Sequence, residues 1–286
     1  MTIFLHKQAE QLSDVKNYVI KAGKEMIEHT FAVCAYGESP YLEKSIRSVV
    51  KQSVKSRVIV CTSTPNSYIE NLTKKYHLPY YVREGKSSLQ DDWNYAYDKA
   101  GTEYVTLTHQ DDIYHKDYLK YMTVYLERYS DTLIAMTDYR IINQDQQVRW
   151  DVSLMVKQML KLPLRIPFLA DKRWVKLGIQ AFGNGICCPS VCYHRILLGN
   201  SIFQSGYHYA LDWEMFVEIA KKPGRFTYIP KNLFYYRIHE GATTKVCLKN
   251  QEKMAEELEM FQKFWPDPVV KVLMHFYKFG YRSYEK

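Results

Sequence analysis

Two adjacent carboxylates occur in THQDDIYHKDYL, residues 108–119, directly after the apolar and β-branched run YVTLT. Asp111 and Asp112 lie where a predicted strand ends and the chain changes direction. Their oxygens can therefore face a hard divalent cation, which in turn neutralises a diphosphate. The alternative is a helix start, because Asp favours the N-cap and the positive end of a helix. The local pattern leaves both interpretations open, and one carboxylate can cap while the other binds metal.

A third carboxylate lies in YALDWEMFVEIAKKPG, residues 209–224. Leu211, Met215 and Ile219 recur every four residues, which predicts an amphipathic helix. Asp212 stands at the start of that helix. It is either an N-cap or a general base that takes a proton from a hydroxyl nucleophile.

A guanidinium and an imidazole lie two positions apart in FYYRIHEGATT, residues 234–244. Alternate residues of an extended chain share a face, so Arg237 and His239 can converge on one anion or on a metal-bound diphosphate. Taken alone, the segment favours a solvated histidine.

The elements that would position these side chains alternate along the first half of the chain. The runs FAVCAY, RVIVCT, LPYYVRE and YVTLT have the composition of strands, and a helical pattern follows each of the first three. This alternation predicts an α/β fold with a Rossmann-like, mostly parallel central sheet flanked by helices. Ligands of such sheets bind outside the carboxyl ends of the strands, where Asp111 and Asp112 are expected.

The pattern changes after a further predicted helix (117–129) and strand (133–142). Residues 150–200 are less regular and resemble an insertion or a smaller lobe. Within them, Gly183 and Gly185 of GNGICCPS would permit a close approach of the backbone to a ligand.

Composition limits the kind of partner and the location. The net charge of +8 favours anionic partners such as phosphates or acidic lipid, without the dense basic block of a nucleic-acid-binding protein. The six cysteines show no CxxC pairs, so free thiols in a reducing compartment fit better than a zinc site at ICCPSVC. No stretch has the ~20 consecutive apolar residues of a spanning helix. We therefore expect a cytoplasmic protein, including a location at the inner face of the membrane.

Four segments together resemble the family 2 glycosyltransferases of the GT-A fold. AYGESPYLEKSIRSVVKQS, THQDDIYHKDYL, YALDWEMFVEIAKK and YRIHEGATT occur in the order and spacing of that family, between about residues 30 and 245. The resemblance implies transfer of a sugar from a nucleotide-diphosphate sugar to an acceptor hydroxyl, with inversion and with Mn²⁺ or Mg²⁺ as cofactor. Bacterial cell-surface polysaccharide or glycolipid assembly is the expectation for the family.

The resemblance assigns site residues position by position. Asp212 would be the catalytic base, and the metal would be held by Asp111 and His239, with His109 beside them. The nucleotide sugar would be bound by Tyr36, Glu38, Thr62, Asp92, Asn94, Asp112 and Arg237.

Three positions depart from the family pattern. The segment CTSTPN (61–66) lacks the acid that hydrogen-bonds uracil in many relatives, so Thr62 would stand near the base and uridine specificity is open. His109 replaces the first acid of the Asp-x-Asp motif, and an imidazole suits Mn²⁺ better than hard Mg²⁺. Leu211 replaces the Glu that usually precedes the catalytic Asp.

The same resemblance sets the expected domains and partners. We predict an N-terminal helical extension (1–28), a catalytic domain (29–245) with a nucleotide-sugar half (29–142) and an acceptor half (143–245), and a helical tail (246–286). The donor would be a nucleotide sugar and the acceptor a glycan or a lipid-linked molecule. An apolar stripe of the tail, which includes Val269 and Leu273, either packs on the domain or makes a peripheral membrane contact.

Two alternatives differ from a glycosyltransferase in class. A binding module of the same fold with impaired catalysis would explain the departures at Thr62, His109 and Leu211, although the acids of the motifs are retained. A sugar nucleotidyltransferase would be expected to carry a glycine-rich phosphate loop after the first strand, whereas AYGESPY has one glycine.

Overall fold

The computed structural model of the chain describes residues 27–149, 151–239 and 251–275. Most of the predicted N-terminal extension and the end of the predicted tail lie outside these residues. The strands are β1 (His29–Ala35), β2 (Arg57–Thr62), β3 (Tyr80–Val82), β4 (Tyr104–His109), β5 (Ile113–Tyr114), β6 (Thr132–Ile142), β7 (Val148–Arg149), β8 (Val191–His194) and β9 (Arg225–Arg237). The helices are α1 (Leu42–Val50), α2 (Ser67–Tyr76), α3 (Leu89–Lys99), α4 (Tyr118–Arg128), α5 (Val152–Lys161), α6 (Arg173–Gln180), α7 (Arg195–Leu198), α8 (Leu211–Lys221) and α9 (Gln251–Gln262). Two short 3₁₀ helices (Leu162–Arg165 and Cys188–Ser190) precede α6 and β8, and residues 267–275 are also helical.

The strands form one sheet in the order β3-β2-β1-β4-β8-β6-β9-β5, with β7 paired to β6. β1 pairs in parallel with β2 and with β4, and β2 pairs in parallel with β3, as the alternation of strands and helices predicted. Beyond β4 the sheet is mixed, because β8 lies antiparallel between β4 and β6. The α/β fold class is confirmed.

The stretch 150–200 contributes to the centre of the sheet, which its sequence did not indicate. β8 has four residues, all buried, between two neighbouring strands. Four residues are too few to show a period, and the adjacent cysteines and proline suggested an irregular loop. The strand is therefore defined by its long-range partners, β4 and β6.

Helices cover both faces of the sheet, and successive side chains of one strand pack against opposite faces. In β1, Phe31 and Val33 pack in a core with side chains of α1, α2 and α4, whereas Ala32 packs on the opposite face with side chains of α3, α6 and α8. A third apolar cluster joins α8 to α9 and residues 267–275, with Trp213 and Phe261 in edge-to-face contact at 5.1 Å. The C-terminal helices are thus anchored on the helix that carries Asp212.

Local signals define several element ends. The Asn66 side chain accepts the Ile69 N–H at 2.9 Å to start α2, and Ser88 Oγ accepts the Asp91 N–H at 3.1 Å to start α3. After α3, Gly101 adopts φ +68°, the left-handed conformation that ends helices.

Two further observations concern the length of the helices and the state of the cysteines. No helix within the described ranges is both long enough and apolar enough to cross a membrane. Cys34, Cys61, Cys187, Cys188 and Cys192 carry free thiols, in agreement with the expectation from their spacing.

Candidate active site

The loops that follow β1, β2 and β4 meet at one edge of the sheet, because these strands are parallel neighbours. The turn after β1 is tied to both other loops. The Tyr36 N–H donates to Gln110 Oε1 at 2.8 Å, and the Gly37 N–H donates to Thr64 Oγ1 at 2.8 Å. Gly37 has φ +57°, so a glycine suits this turn. Tyr36 and Glu38 remain exposed at the rim, where they are available to a ligand.

Thr62 lies at the end of β2 and is buried. Its hydroxyl accepts the Thr64 N–H at 3.0 Å. The side chain thus shapes the 62–66 loop at the place where the sequence predicts the nucleobase.

Asp92 fastens three segments at this edge. Its carboxylate accepts hydrogen bonds from Ser63 Oγ at 2.8 Å and Ser87 Oγ at 2.6 Å, and it pairs with Arg83 Nε at 2.7 Å. The loops after β2 and β3 are therefore fixed to the start of α3. Sequence analysis did not identify Ser63, Ser87 or Arg83, because no local period links them to Asp92.

Asn94 was predicted to contact the nucleotide, but its side-chain amide is hydrogen-bonded to the protein backbone. Its Nδ2 donates to the Phe203 carbonyl at 2.7 Å, and its Oδ1 accepts the Phe203 N–H at 2.9 Å. The amide thus pairs with a backbone segment that is 109 residues away in sequence. In this structure Asn94 positions the 203 segment beside α3.

Asp111 and His239 face each other across the site. Ser39 Oγ donates to Asp111 Oδ1 at 3.1 Å, while Asp111 Oδ2 lies 3.2 Å from His239 Nε2. This nitrogen is buried, yet it is not aligned for a hydrogen bond with any described residue. The His239 ring packs against Tyr41, with ring centroids 4.8 Å apart. A carboxylate oxygen and an imidazole nitrogen therefore converge without satisfying each other, as two ligands of one cation would.

His109 stands beside this pair with a buried Nε2 that has no hydrogen-bond partner among the described residues. Its ring stacks on Trp93 at 4.8 Å. Burial lowers the pKa of His109 to about 4, against the opposing charge of Asp111, so the imidazole is neutral at pH 7. A neutral imidazole is the form that binds metals.

These residues fit a metal that is shared with a substrate. Within the described ranges, no group of three or more His, Cys, Asp or Glu side chains is arranged to enclose a cation. Mg²⁺ at phosphoryl sites is commonly held by one or two carboxylates together with substrate phosphates and water. Asp111 and His239 supply one carboxylate and one imidazole, a partial set of ligands that suits Mn²⁺ better than Mg²⁺.

Asp112 and Arg237 join the end of β9 to the same loop. Asp112 is buried, and burial raises its pKa; its Oδ1 accepts the Arg237 N–H at 2.9 Å. The Arg237 guanidinium is also buried and donates to the carbonyls of Asp111 at 2.8 Å and Asn143 at 3.1 Å. These contacts fix the chain two residues before His239, while Arg237 Nη2 has no hydrogen-bond partner among the described residues.

None of the three acids is a helix N-cap. Asp111 and Asp112 lie in the turn between β4 and β5, and the N-cap of α4 is Asp117. The N-cap of α8 is Ala210, and Asp212 lies in the first turn. The N-cap interpretation is therefore wrong for these acids, although Asp212 is near the start of its helix.

Asp212 is held by a residue from the irregular stretch. Asn184 Nδ2 donates to Asp212 Oδ2 at 3.0 Å, and Oδ1 accepts the Trp213 N–H at 2.8 Å. Burial raises the pKa of Asp212, while the hydrogen bond from Asn184 and the charge of Lys157 act in the opposite direction. A half-buried carboxylate with a raised pKa is suited to accept a proton.

The local structure explains why glycine occupies the positions on either side of Asn184. Gly183 adopts φ +121°. A Cβ on Gly185 would lie 2.7 Å from the Ile179 carbonyl oxygen, so the close backbone approach is to α6. The expectation that these glycines make room for a sugar has no support from these contacts, which explain both glycines within the protein.

The segment before α8 depends on Glu256 of α9. Its carboxylate accepts the backbone N–H groups of His208, Tyr209 and Ala210 at 2.8, 2.7 and 2.9 Å. The negative charge also lies near the positive end of α8. No sequence signal connects Glu256 to this helix, because 46 residues separate it from Ala210.

The charges of Asp112 and of Asp212, which lie in two separate segments of the site, both act on Cys187. Burial raises the pKa of its thiol, Lys157 lowers it, and the charges of Asp112 and Asp212 raise it further. The buried end of the Asp111–Asp112 loop and the carboxylate of α8 thus act on the same thiol.

The fold is similar to that of two solved structures. S. aureus TarS (1–349, in complex with UDP-GlcNAc) gives a TM-score of 0.57 at 16% identity, over 83% of this chain and 71% of that chain. Mannosyltransferase PcManGT from Pyrobaculum calidifontis, in complex with GDP-Man and Mn²⁺, gives a TM-score of 0.56 at 15% identity, over 95% of this chain and 77% of that chain. At these identities the similarity shows the fold alone, and it agrees with the predicted GT-A fold.

Sequence comparison gives the family. None of the curated proteins matches the chain significantly. The family model described as Glycosyl transferase family 2 matches residues 30–184, which is more than half of the chain. The chain therefore belongs to glycosyl transferase family 2.

Proposed function

We propose that this glycosyltransferase moves a sugar from a nucleotide-diphosphate sugar to an acceptor hydroxyl with inversion at the anomeric carbon. The observation that supports it best is the unsatisfied convergence of Asp111 and His239 at the carboxyl edge of the parallel strands. This edge is where α/β sheets bind nucleotides. TarS and PcManGT were solved with UDP-GlcNAc and GDP-Man, which supports a nucleotide-sugar donor and leaves the base of this donor open.

Each group has a defined task in this reaction. Asp111 and His239, with His109 beside them, would hold Mn²⁺ or Mg²⁺, which supplies positive charge for the departing diphosphate. Asp212 accepts the proton of the acceptor hydroxyl, and Asn184 orients the Asp212 carboxylate. Inversion in one displacement needs no covalent intermediate with the protein, so no nucleophilic side chain is required.

The remaining assignments are proposals of the same kind. Tyr36, Glu38 and the loop around Thr62 would contact the nucleotide, with Asp92 holding that loop. Asp112 and Asn94 would act by positioning, because their contacts are with the backbone. Arg237 would contact the diphosphate through Nη2, which has no hydrogen-bond partner among the described residues. We place the donor in residues 29–142, the acceptor in 143–245, and the pathway in bacterial cell-surface polysaccharide or glycolipid assembly.

The test is release of nucleoside diphosphate from a panel of UDP, GDP, CDP and dTDP sugars in the presence of Mn²⁺. We expect one donor to be turned over and Asp212→Asn to lower the rate by about 10²-fold or more. Asp117→Asn, a half-buried acid at the start of α4, is the matched control.

Binding separates the enzyme from its alternatives. We expect Mn²⁺ to increase nucleotide affinity, and His239→Asn to abolish that increase while His115→Asn retains it. Metal-dependent binding without turnover of any donor would favour the binding module. Release of pyrophosphate from a nucleoside triphosphate and a sugar phosphate would favour a nucleotidyltransferase.

A further inference from the structure

Helix α5 directs its apolar side chains outward and a lysine inward. Lys161 is 2% exposed and forms a 2.8 Å ion pair with Asp138, which also accepts the Tyr228 hydroxyl at 2.6 Å. Four apolar residues of the same helix, at positions i, i+3, i+4 and i+7, are exposed to solvent. They are Val152, Met155, Val156 and Met159. A surface helix of a soluble domain normally buries such a stripe. Among the described residues, this arrangement therefore leaves an apolar face uncovered.

The exposed apolar face continues beyond α5. The 3₁₀ helix 162–165 and α6 pack against α5 and against each other. Between and on them, Leu162, Ile166, Phe168 and Trp174 are exposed, Phe168 at 71% and Trp174 at 68%. We call this region the 152–174 surface. Contiguous exposed apolar groups of this extent mark a site of contact with a protein or a membrane.

A cationic cavity opens beside the 152–174 surface. Its volume is about 120 Å³, and its lining includes the guanidinium-bearing residues Arg128, Arg165 and Arg225, together with Tyr125, Tyr129 and Tyr228. Arg165 and Pro167, which flank the exposed Ile166, line the cavity as well. The cavity and the apolar face are therefore parts of one region.

The charge at this cavity favours an anion. Arg225 donates to the Pro167 carbonyl at 2.6 Å, and its guanidinium lies 4.4 Å from the centre of the Tyr129 ring. Its acidic contact is Asp131, whose Oδ1 is 3.2 Å from Arg225 Nε. Among the described residues that line the cavity, three carry guanidinium groups and none carries a carboxylate. Guanidinium groups bind phosphate oxygens well because of their planar arrangement of donors.

We propose that the 152–174 surface docks on a membrane that contains anionic phospholipid. Its apolar side chains enter the boundary of the acyl chains, and the cavity of Arg128, Arg165 and Arg225 receives a headgroup phosphate. A second copy of the chain would add another cationic cavity to the contact. Anionic headgroups would instead neutralise the charge of the cavity.

Docking through this surface is independent of sugar transfer, but it would place the site near a lipid-linked acceptor. Lys157 belongs to α5, and its charge acts on the Asp212 carboxylate. The helix that touches the membrane is therefore also next to the proposed base. This surface differs from the C-terminal stripe that includes Val269 and Leu273, which is the other candidate for membrane contact.

The experiment is flotation of the purified full chain with vesicles of phosphatidylcholine alone and with vesicles that also contain phosphatidylglycerol. We expect binding to the anionic vesicles. The variant Met155→Ser/Met159→Ser should lower the partition coefficient about tenfold, and Arg128→Glu about fivefold or more. Ile196→Ser/Leu197→Ser removes two exposed apolar side chains of α7 and should leave it unchanged. Circular dichroism establishes that each variant is folded.

Each other outcome overturns the proposal. Absence of binding to anionic vesicles excludes a membrane partner, and binding of inorganic phosphate in that case identifies a small-anion site instead. Binding that survives both surface variants and is lost with Val269→Ser/Leu273→Ser assigns the contact to the C-terminal stripe. An equal loss in the α7 control indicates nonspecific adsorption. Because none of these measurements uses a sugar donor, failure here leaves the proposed transfer reaction untouched.

Discussion

The burial of Glu257 predicts that the free energy of unfolding depends on pH. It lies on α9 with 6% exposure, and its Oε2 has no hydrogen-bond partner among the described residues. Burial raises the pKa of Glu257 from 4.5 to about 7, although Lys253 Nζ, 3.8 Å from Oε1, opposes the shift. The difference of about 2.5 between 7 and 4.5 corresponds to about 3 kcal/mol.

The sign follows from proton binding. The folded protein holds the Glu257 proton more tightly than the unfolded chain does, so the group's contribution is complete below pH 4.5 and is lost as the pH rises through about 7. Glu257→Gln keeps a neutral group at every pH. We therefore expect the variant to exceed the wild type in free energy of unfolding by up to about 3 kcal/mol at about pH 8, and by much less at about pH 5.

Urea unfolding at these two pH values measures the effect. Glu252→Gln removes an exposed carboxylate from the same helix and should change neither value by more than about 0.5 kcal/mol. A Glu257→Gln variant with the same stability difference at both pH values would show that Glu257 titrates normally, and the reasoning from burial would be refuted.

Three further predictions concern other contacts. Asn184→Ala removes a hydrogen bond that lowers the pKa of the proposed base, so the acid limb of the kcat/KM profile should move to higher pH. Lys161→Met leaves the buried Asp138 without its cation and should cost about 3–5 kcal/mol in urea unfolding. Gly224→Ala forces a Cβ at φ +121° to within 2.8 Å of a backbone oxygen, and should lower stability by about 1–3 kcal/mol relative to Gly206→Ala, where the space is open.

Each of these has a clear contrary result. An unshifted acid limb in Asn184→Ala would separate Asn184 from the proton transfer. Full stability of Lys161→Met would mean that the ion pair between Lys161 and Asp138 adds nothing to the stability of the fold. Equal melting temperatures of the two glycine variants would show that the chain relaxes around Gly224.

Local patterns predicted most of the first half of the fold. β2 was predicted at 57–62 and occupies Arg57–Thr62, and the predicted helix 117–129 corresponds to α4 at Tyr118–Arg128. These elements have clear periods, caps and turn residues that depend on neighbours in sequence. In the same way, the placement of Asp111 at the end of a parallel strand followed from the order of elements.

Partners that are distant in sequence could not be predicted in this way. Asn94 matched a family position, but its amide binds the Phe203 backbone. Asn184 lay in a segment without a period, yet it holds Asp212. The apolar spacing of α5 is that of a buried face, whereas the structure exposes it, because Lys161 pairs with Asp138 of β6 on the inner side.

The sequence by itself determined the alternation of strands and helices, the edge at which the acids lie and the family of the chain, because each depends on residue type and short spacing. The tertiary structure alone decided which polar groups are already satisfied. Asp112 bonds to backbone, while Arg237 Nη2 has no hydrogen-bond partner among the described residues and Asp111 and His239 face each other without a hydrogen bond. That distinction depends on contacts across more than a hundred residues, and only the folded chain brings those atoms together.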